Sequence, residues 1–156
     1  MKGPIASEHV EQVHLFTWAH YAKATAPELA LLYAIPNGGA RHPAVAAKLR
    51  AEGVKPGVPD LHLPVPRGTF HGLYIELKRV SGSRPTKEQR EWLEKLELQG
   101  YRAVWCRGWH HAKDVIEEYL AAPNQSKGRG TDGCAQAAGP TQPGVAEDRN
   151  RARRRA

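Results

Sequence analysis

The stretch that most restricts how this chain can fold is VPDLHLPVPRGTFHGLYIELKR, residues 58 to 79. Two apolar runs flank a turn rich in proline and glycine, the pattern of a β-hairpin. Pairing the runs antiparallel about Gly68 sets Leu61 opposite Ile75 and Leu63 opposite Leu73. Strand side chains alternate sides with a period of two. Leu61, Leu63, Leu73, Ile75 and Leu77 therefore share one apolar face. The same register places Asp60 opposite Glu76, with Lys78 beside them on the other face. A slip of one residue would turn the leucines towards water. The pairing that sorts the hydrophobic residues thus also gathers two carboxylates and an ammonium.

Facing carboxylates repel and destabilise a sheet. Either one takes up a proton or a cation sits between them. A hard divalent ion such as Mg²⁺ suits that place, since it prefers oxygen ligands and keeps several waters. Lys78 beside such an ion would orient a water nucleophile or stabilise charge developing on a phosphate. A surface hairpin in which Lys78 merely offsets two acids has the same spacing.

The remaining elements follow from periodicity and caps. Ser7 is an N-cap candidate for a helix over about 8–23, with Leu15, Phe16 and Ala19 at helical spacing. LLYAIP at 31–36 reads as a strand, HPAVAAKLRAEG at 42–53 as a helix stopped by Gly53, and 58–64 and 72–79 as the hairpin. Thr86 opens a helix that runs to Gln99 with Trp92, Leu93 and Leu96 on one face. YRAVWC at 101–106 is a strand and AKDVIEEYL at 112–120 a closing helix. This order predicts an α/β domain, a mixed central sheet flanked by helices in two or three layers. The folded domain is expected to span residues 1–121.

Residues 122–156 hold almost no large apolar side chains and are rich in Gly, Pro, Ala and Gln, so they are expected to form a disordered basic tail. The net charge is +7; residues 1–121 carry 16 Lys and Arg against 13 acids, and the last 35 carry seven against three. A basic excess fits a polyanionic partner, because Lys and Arg neutralise phosphates. No run of about 18 apolar residues is present, and MKGPIASEHVEQ lacks the apolar region of a signal peptide, so an intracellular location is expected. Cys106 and Cys134, the only cysteines, have no CxxC spacing, which argues against a disulfide framework or a cysteine-rich zinc site.

Pro59-Asp60 followed by Glu76-Leu77-Lys78 resembles the PD-(D/E)xK nuclease signature. GVPDL, YIELK, the helix EQREWLEKLELQG and the N-terminal EHVEQ together resemble the VRR-NUC family in its stand-alone, virus-type form, over about residues 8–120. The resemblance implies a restriction-endonuclease-like core and hydrolysis of phosphodiester bonds with Mg²⁺ or Mn²⁺. By position, Asp60 and Glu76 would be metal ligands, Lys78 the catalytic lysine and Gln89 the glutamine of the following helix. The Leu77 backbone carbonyl would add a ligand. The family also has a glutamate on its first helix; Glu11 is the choice and Glu8 the rival. Stand-alone members imply a homodimer that cuts branched DNA such as four-way (Holliday) junctions, in the cytoplasm of a bacterial or phage-infected host. A non-catalytic DNA-binding or assembly protein that keeps the fold is the alternative.

Several residues carry two readings. Gln89 lies three positions after Thr86, which makes a capping box, and also aligns with the inward stripe of its helix. The IPNGGAR loop is either a tight turn needing positive φ or a phosphate contact, with Asn37 and Arg41 as candidate DNA-binding residues. His110 and His111 suit a solvated helix start better than a metal site, and nothing assigns His42, His62 or His71. Trp18, Tyr21, Ile116 and Tyr119 are interface candidates that core packing explains as well.

Overall fold

A computed structural model describes residues 6–36 and 43–124. Helix α1 spans Glu8–Ala22 and is followed by a 3-10 turn at Pro27–Leu31 and a two-residue strand β1, Tyr33–Ala34. Helix α2 is Pro43–Ala51, the hairpin strands are β2, Leu61–Leu63, and β3, Leu73–Lys78, and helix α3 is Lys87–Leu98. Strand β4, Arg102–Arg107, runs directly into α4, Gly108–Ala121. The sheet order is β1-β2-β3-β4, with β1/β2 and β2/β3 antiparallel and β3/β4 parallel. This is the mixed sheet flanked by helices that the sequence predicts.

The hairpin register is the expected one: Leu61 pairs with Ile75 and Leu63 with Leu73. All five apolar residues of the predicted face are buried, and Leu15 and Ala19 of α1 and Ala112, Val115, Ile116 and Tyr119 of α4 join them in one core. Each leucine buried there contributes about 1.5–3 kcal/mol. Helix α3 packs on β3 and β4, on the opposite, charged face. Three layers result.

Differences from the expected elements have local causes. The 31–36 strand shrinks to two residues because Pro27 opens a 3-10 turn that takes Leu31. The first hairpin strand shrinks to Leu61–Leu63 because Pro59 and Pro64 bracket it and proline has no N–H for the ladder. Helix α4 starts at Gly108, four residues before the expected 112. Gly108 has φ +72, and a Cβ there would meet Val80 Cγ2 at 2.8 Å. Only glycine turns the chain at once from strand to helix in that space. Ile116 and Tyr119 are fully buried core residues and so are not interface residues, whereas Tyr21 is 75% exposed.

The hairpin tip is tied to the end of α4. Gly68 N–H donates to the Pro123 carbonyl at 2.9 Å, and buried Arg67 donates through Nε to the Leu120 carbonyl at 3.2 Å and pairs with Glu28. The Tyr119 hydroxyl donates to the Val65 carbonyl at 2.6 Å inside the core. Tyr119→Phe orphans that carbonyl, which costs about 1–3 kcal/mol. A fall in melting temperature of roughly 4–12 °C is expected in thermal denaturation; a change below about 1 °C would show that the bond contributes nothing.

No described helix is long and apolar enough to cross a membrane. Residues 125–156, including Cys134 and the expected basic tail, lie outside the described residues, as do Asn37, Arg41 and His42.

Candidate active site

Asp60 stands where the β2 ladder ends, and both neighbouring strands hold it. Its carbonyl accepts from Ile35 N–H at 2.7 Å, and its Oδ2 accepts from Leu77 N–H at 2.9 Å. Across from it, Glu76 is completely buried. Glu76 Oε1 lies 2.8 Å from Lys78 Nζ and accepts from Gln89 Nε2 at 2.5 Å. Glu76 Oε2 is buried with no N–H or hydroxyl donor on it among the described residues; the Asp60 carboxyl is within hydrogen-bonding reach of Glu76 when one of the two acids is protonated. The structure thus brings Asp60, Glu76, Lys78 and Gln89 together.

Both readings of Gln89 hold at once. Its Oε1 accepts from Thr86 N–H at 2.9 Å and its own N–H donates to Thr86 Oγ1 at 3.3 Å. That reciprocal pair fixes the first turn of α3 and leaves the amide N–H₂ free to aim at Glu76.

Helix α1 contributes differently from the preferred expectation. Glu8 Oε1 is 3.6 Å from Lys78 Nζ. Glu11, 3% exposed, accepts from Trp109 N–H at 2.9 Å. Arg107, the residue before α4, offers no side-chain cap, and the Glu11 carboxylate takes that place at the positive end of the helix dipole. Of the two α1 acids, Glu8 is the one paired with Lys78, while Glu11 is held at the start of α4. A carboxylate 98 positions away, capping α4, left no local signal in the sequence.

Burial pushes the carboxyls up. Asp60 is raised above its ordinary value by desolvation, partly opposed by the Leu77 N–H and by Lys78. Glu76 is raised from 4.5 to about 8, first by burial and then by the charge of Asp60. Burial alone would lower Lys78, but its hydrogen bond to Glu76 and the charges of Glu76, Glu8 and Asp60 outweigh that and hold it protonated.

Among the described residues no three His, Cys, Asp or Glu side chains form a metal cluster. The donor set is two carboxylates on adjacent strands, with backbone beside them. That set fits a hard ion that retains waters, and Glu76 Oε2, which has no N–H or hydroxyl donor, is the atom such an ion would satisfy.

Among the described residues, His62, His71, His110 and His111 have partners outside the cluster. His62 is bonded through Nδ1 to the Tyr33 hydroxyl at 2.8 Å and stacks on Tyr74 at 4.0 Å. His71 packs edge-on to Tyr101. His111 Nδ1 accepts from Arg107 N–H at 3.2 Å, and His110 lies against the Trp109 ring. Cys106 is buried, its thiol pushed up to about 12, so it is no nucleophile at neutral pH.

The raised Glu76 makes stability depend on pH. Folding favours its protonated form, so its contribution is full below about 4.5 and is lost as pH rises through about 8. The metal-free protein should therefore melt at lower temperature at pH 8 than at pH 6. Millimolar Mg²⁺ or Mn²⁺ should raise the melting temperature more at pH 8, and E76Q should flatten both dependences. A metal shift of equal size at both pH values, unchanged in E76Q, would remove Glu76 from the metal site.

The sequence model of the VRR-NUC domain matches residues 7–110. A solved structure described as a VRR_NUC domain protein is 32% identical, with a TM-score of 0.67, over 80% of this chain and 94% of that one. No curated protein matches the chain.

Proposed function

The chain belongs to the VRR-NUC domain family, a nuclease-type domain, and on that premise we propose that it is a Mg²⁺- or Mn²⁺-dependent DNA endonuclease selective for branched DNA. The observation that carries the reading is Glu76: a carboxylate fully buried against Lys78 and Gln89, with no N–H or hydroxyl donor on its second oxygen. A structural ion pair would satisfy both oxygens.

Asp60 and Glu76 would hold the ion, with the Leu77 carbonyl adding a donor. When bound, a divalent ion there neutralises phosphate charge and lowers the pKa of water. The chain's own groups do the rest. Gln89, locked by Thr86, fixes the Glu76 carboxyl. The Leu77 N–H aims the Asp60 carboxyl and partly offsets the burial that raises it. Lys78 donates hydrogen bonds from Nζ, orienting water and stabilising charge on the phosphate oxygens. Glu8 is the α1 acid that we assign to the site, in place of Glu11.

The one such site among the described residues faces a substrate that must be cut on two strands if it is a four-way junction. A two-fold dimer meets that geometry. Val13 and Tyr21 on the outer face of α1 are exposed and offer a surface to a second copy.

The test is cleavage of labelled linear duplex, single strands and four-way junctions at equal concentration, with Mg²⁺, Mn²⁺ or EDTA, alongside sedimentation at micromolar protein. Metal-dependent cutting with preference for the junction, from a dimer, is expected. Equal cutting of duplex and junction would remove the selectivity, a strict monomer the dimer, and no cutting with either metal the enzyme.

A further inference from the structure

We propose that the loop after β3, together with Arg107, forms a pocket for a non-reacting backbone phosphate of the DNA strand, about one to two nucleotides from the scissile position. This deepens the nuclease reading and rests on it. The loop is fixed at both ends by site residues: it leaves Lys78 and enters α3, whose first turn carries Gln89. Between them lies a cavity of about 450 Å³ lined by Val80, Ser81, Gly82, Ser83, Arg84 and Arg107.

The lining matches a phosphodiester. It holds two guanidinium groups and two hydroxyls, and no carboxylate. Among the described residues neither Arg84 nor Arg107 is in an ion pair. The Arg107 guanidinium lies 5.0 Å from the centre of the Trp105 ring, which steadies a flat group that recognises phosphate oxygens in bidentate fashion. Ser83 Oγ is buried without a hydrogen-bond partner. With His62 Nε2 and Glu76 Oε2 it is one of three such atoms among the described residues; buried polar atoms in proteins usually have a partner, and this one lines a cavity that can supply it. Gly82, at φ +82, lets the loop curl back, and the Arg79 guanidinium comes within 3.5 Å of where a Cβ would stand there.

The pocket's place explains its use. Arg107 is the β4 partner of Lys78, and neighbouring strands are about 4.8 Å apart. A strand whose scissile phosphate lies at Lys78 therefore passes the pocket with an adjacent phosphate. Contacts to such phosphates fix register without reading sequence. The pocket would thus act on binding and on the position of the cut rather than on the chemical step.

The experiment combines neutralised phosphates with pocket variants. The cut position is first mapped on a junction oligonucleotide with the wild-type chain. Single phosphates around it are then replaced by uncharged methylphosphonate, and binding is measured by fluorescence anisotropy without divalent metal, for the wild type, Arg84→Gln and Ser83→Ala. At one phosphate within two nucleotides of the cut, the substitution should weaken wild-type binding about tenfold and leave Arg84→Gln nearly unchanged. Arg84→Gln should also reduce the slope of log K against log salt by about one, and Ser83→Ala should weaken binding several-fold with its melting temperature retained. Equal responses of wild type and variants at every phosphate would overturn the pocket. If the chain never cleaves, the phosphates are replaced one by one along the whole oligonucleotide, and the same coupling at a single phosphate would keep the pocket and overturn the nuclease reading instead.

Discussion

Replacing Asp60 by asparagine, or Glu76 by glutamine, should lower DNA cleavage by about a thousandfold or more while leaving DNA binding within a few-fold. Asp60 and Glu76 are the two carboxyls that meet beside Lys78 on the hairpin, and the amides keep the shape while removing the charge. Asp60→Asn retains an oxygen for the Leu77 N–H, so the fold survives. Glu76→Gln removes a buried carboxyl that is already pushed up to about 8, so the metal-free protein should gain stability above neutral pH. A variant that is more stable and yet inactive separates the chemical role from the structural one. Binding changes little because phosphate contacts by Lys and Arg supply most of it. The measurement is single-turnover cleavage with saturating protein, plus anisotropy for binding. Wild-type cleavage by either variant would dismiss the site.

The second large effect belongs to Lys78. Lys78→Ala should reduce single-turnover cleavage by about 10²–10³, the range seen when one donor to developing charge is lost. Its structural environment adds a sharper expectation. Lys78 Nζ sits on Glu76 Oε1 at 2.8 Å and so competes with any cation for that carboxylate. Removing the ammonium should leave the apparent affinity for Mn²⁺ equal or tighter, even as turnover falls. The vacated carboxyl can take a proton, so the variant should fold. Lys78→Arg should not restore the rate, because a planar guanidinium poorly copies a compact ammonium. Calorimetric Mn²⁺ titration and single-turnover rates check the two halves. Full activity in Lys78→Ala would reduce the lysine to a charge that balances Glu76, and a lost metal site would make it structural.

Much of this is legible in the amino-acid sequence. The period of two in the hairpin set the pairing of Leu61 with Ile75 and hence the meeting of Asp60 with Glu76, because one face had to be dry. Ser7 and Thr86 cap α1 and α3 where the sequence places them, since caps are short-range chemistry. Gln89 carried both of its roles in its spacing from Thr86 and its place on the inward stripe. The strand expected over 31–36 loses Leu31 to the 3-10 turn at Pro27–Leu31, because a short apolar run does not distinguish a strand from the end of a helical turn.

Glu8 and Glu11 mark the boundary. The sequence determined that α1 carries acids in its first turns, and that two carboxylates and a lysine would gather on one face of the hairpin. Those are consequences of alternation, helical period and capping, which act over a few residues. Only the tertiary structure decided that Glu11 caps α4 at Trp109, that Glu8 reaches Lys78, that Ile116 and Tyr119 are core rather than surface, and that Arg107 comes beside Lys78. Each of those depends on how one element packs against another from a distant part of the chain, through contacts whose partners share no periodicity. Long-range packing and the parallel pairing of β3 with β4 chose among faces that the local pattern left equivalent.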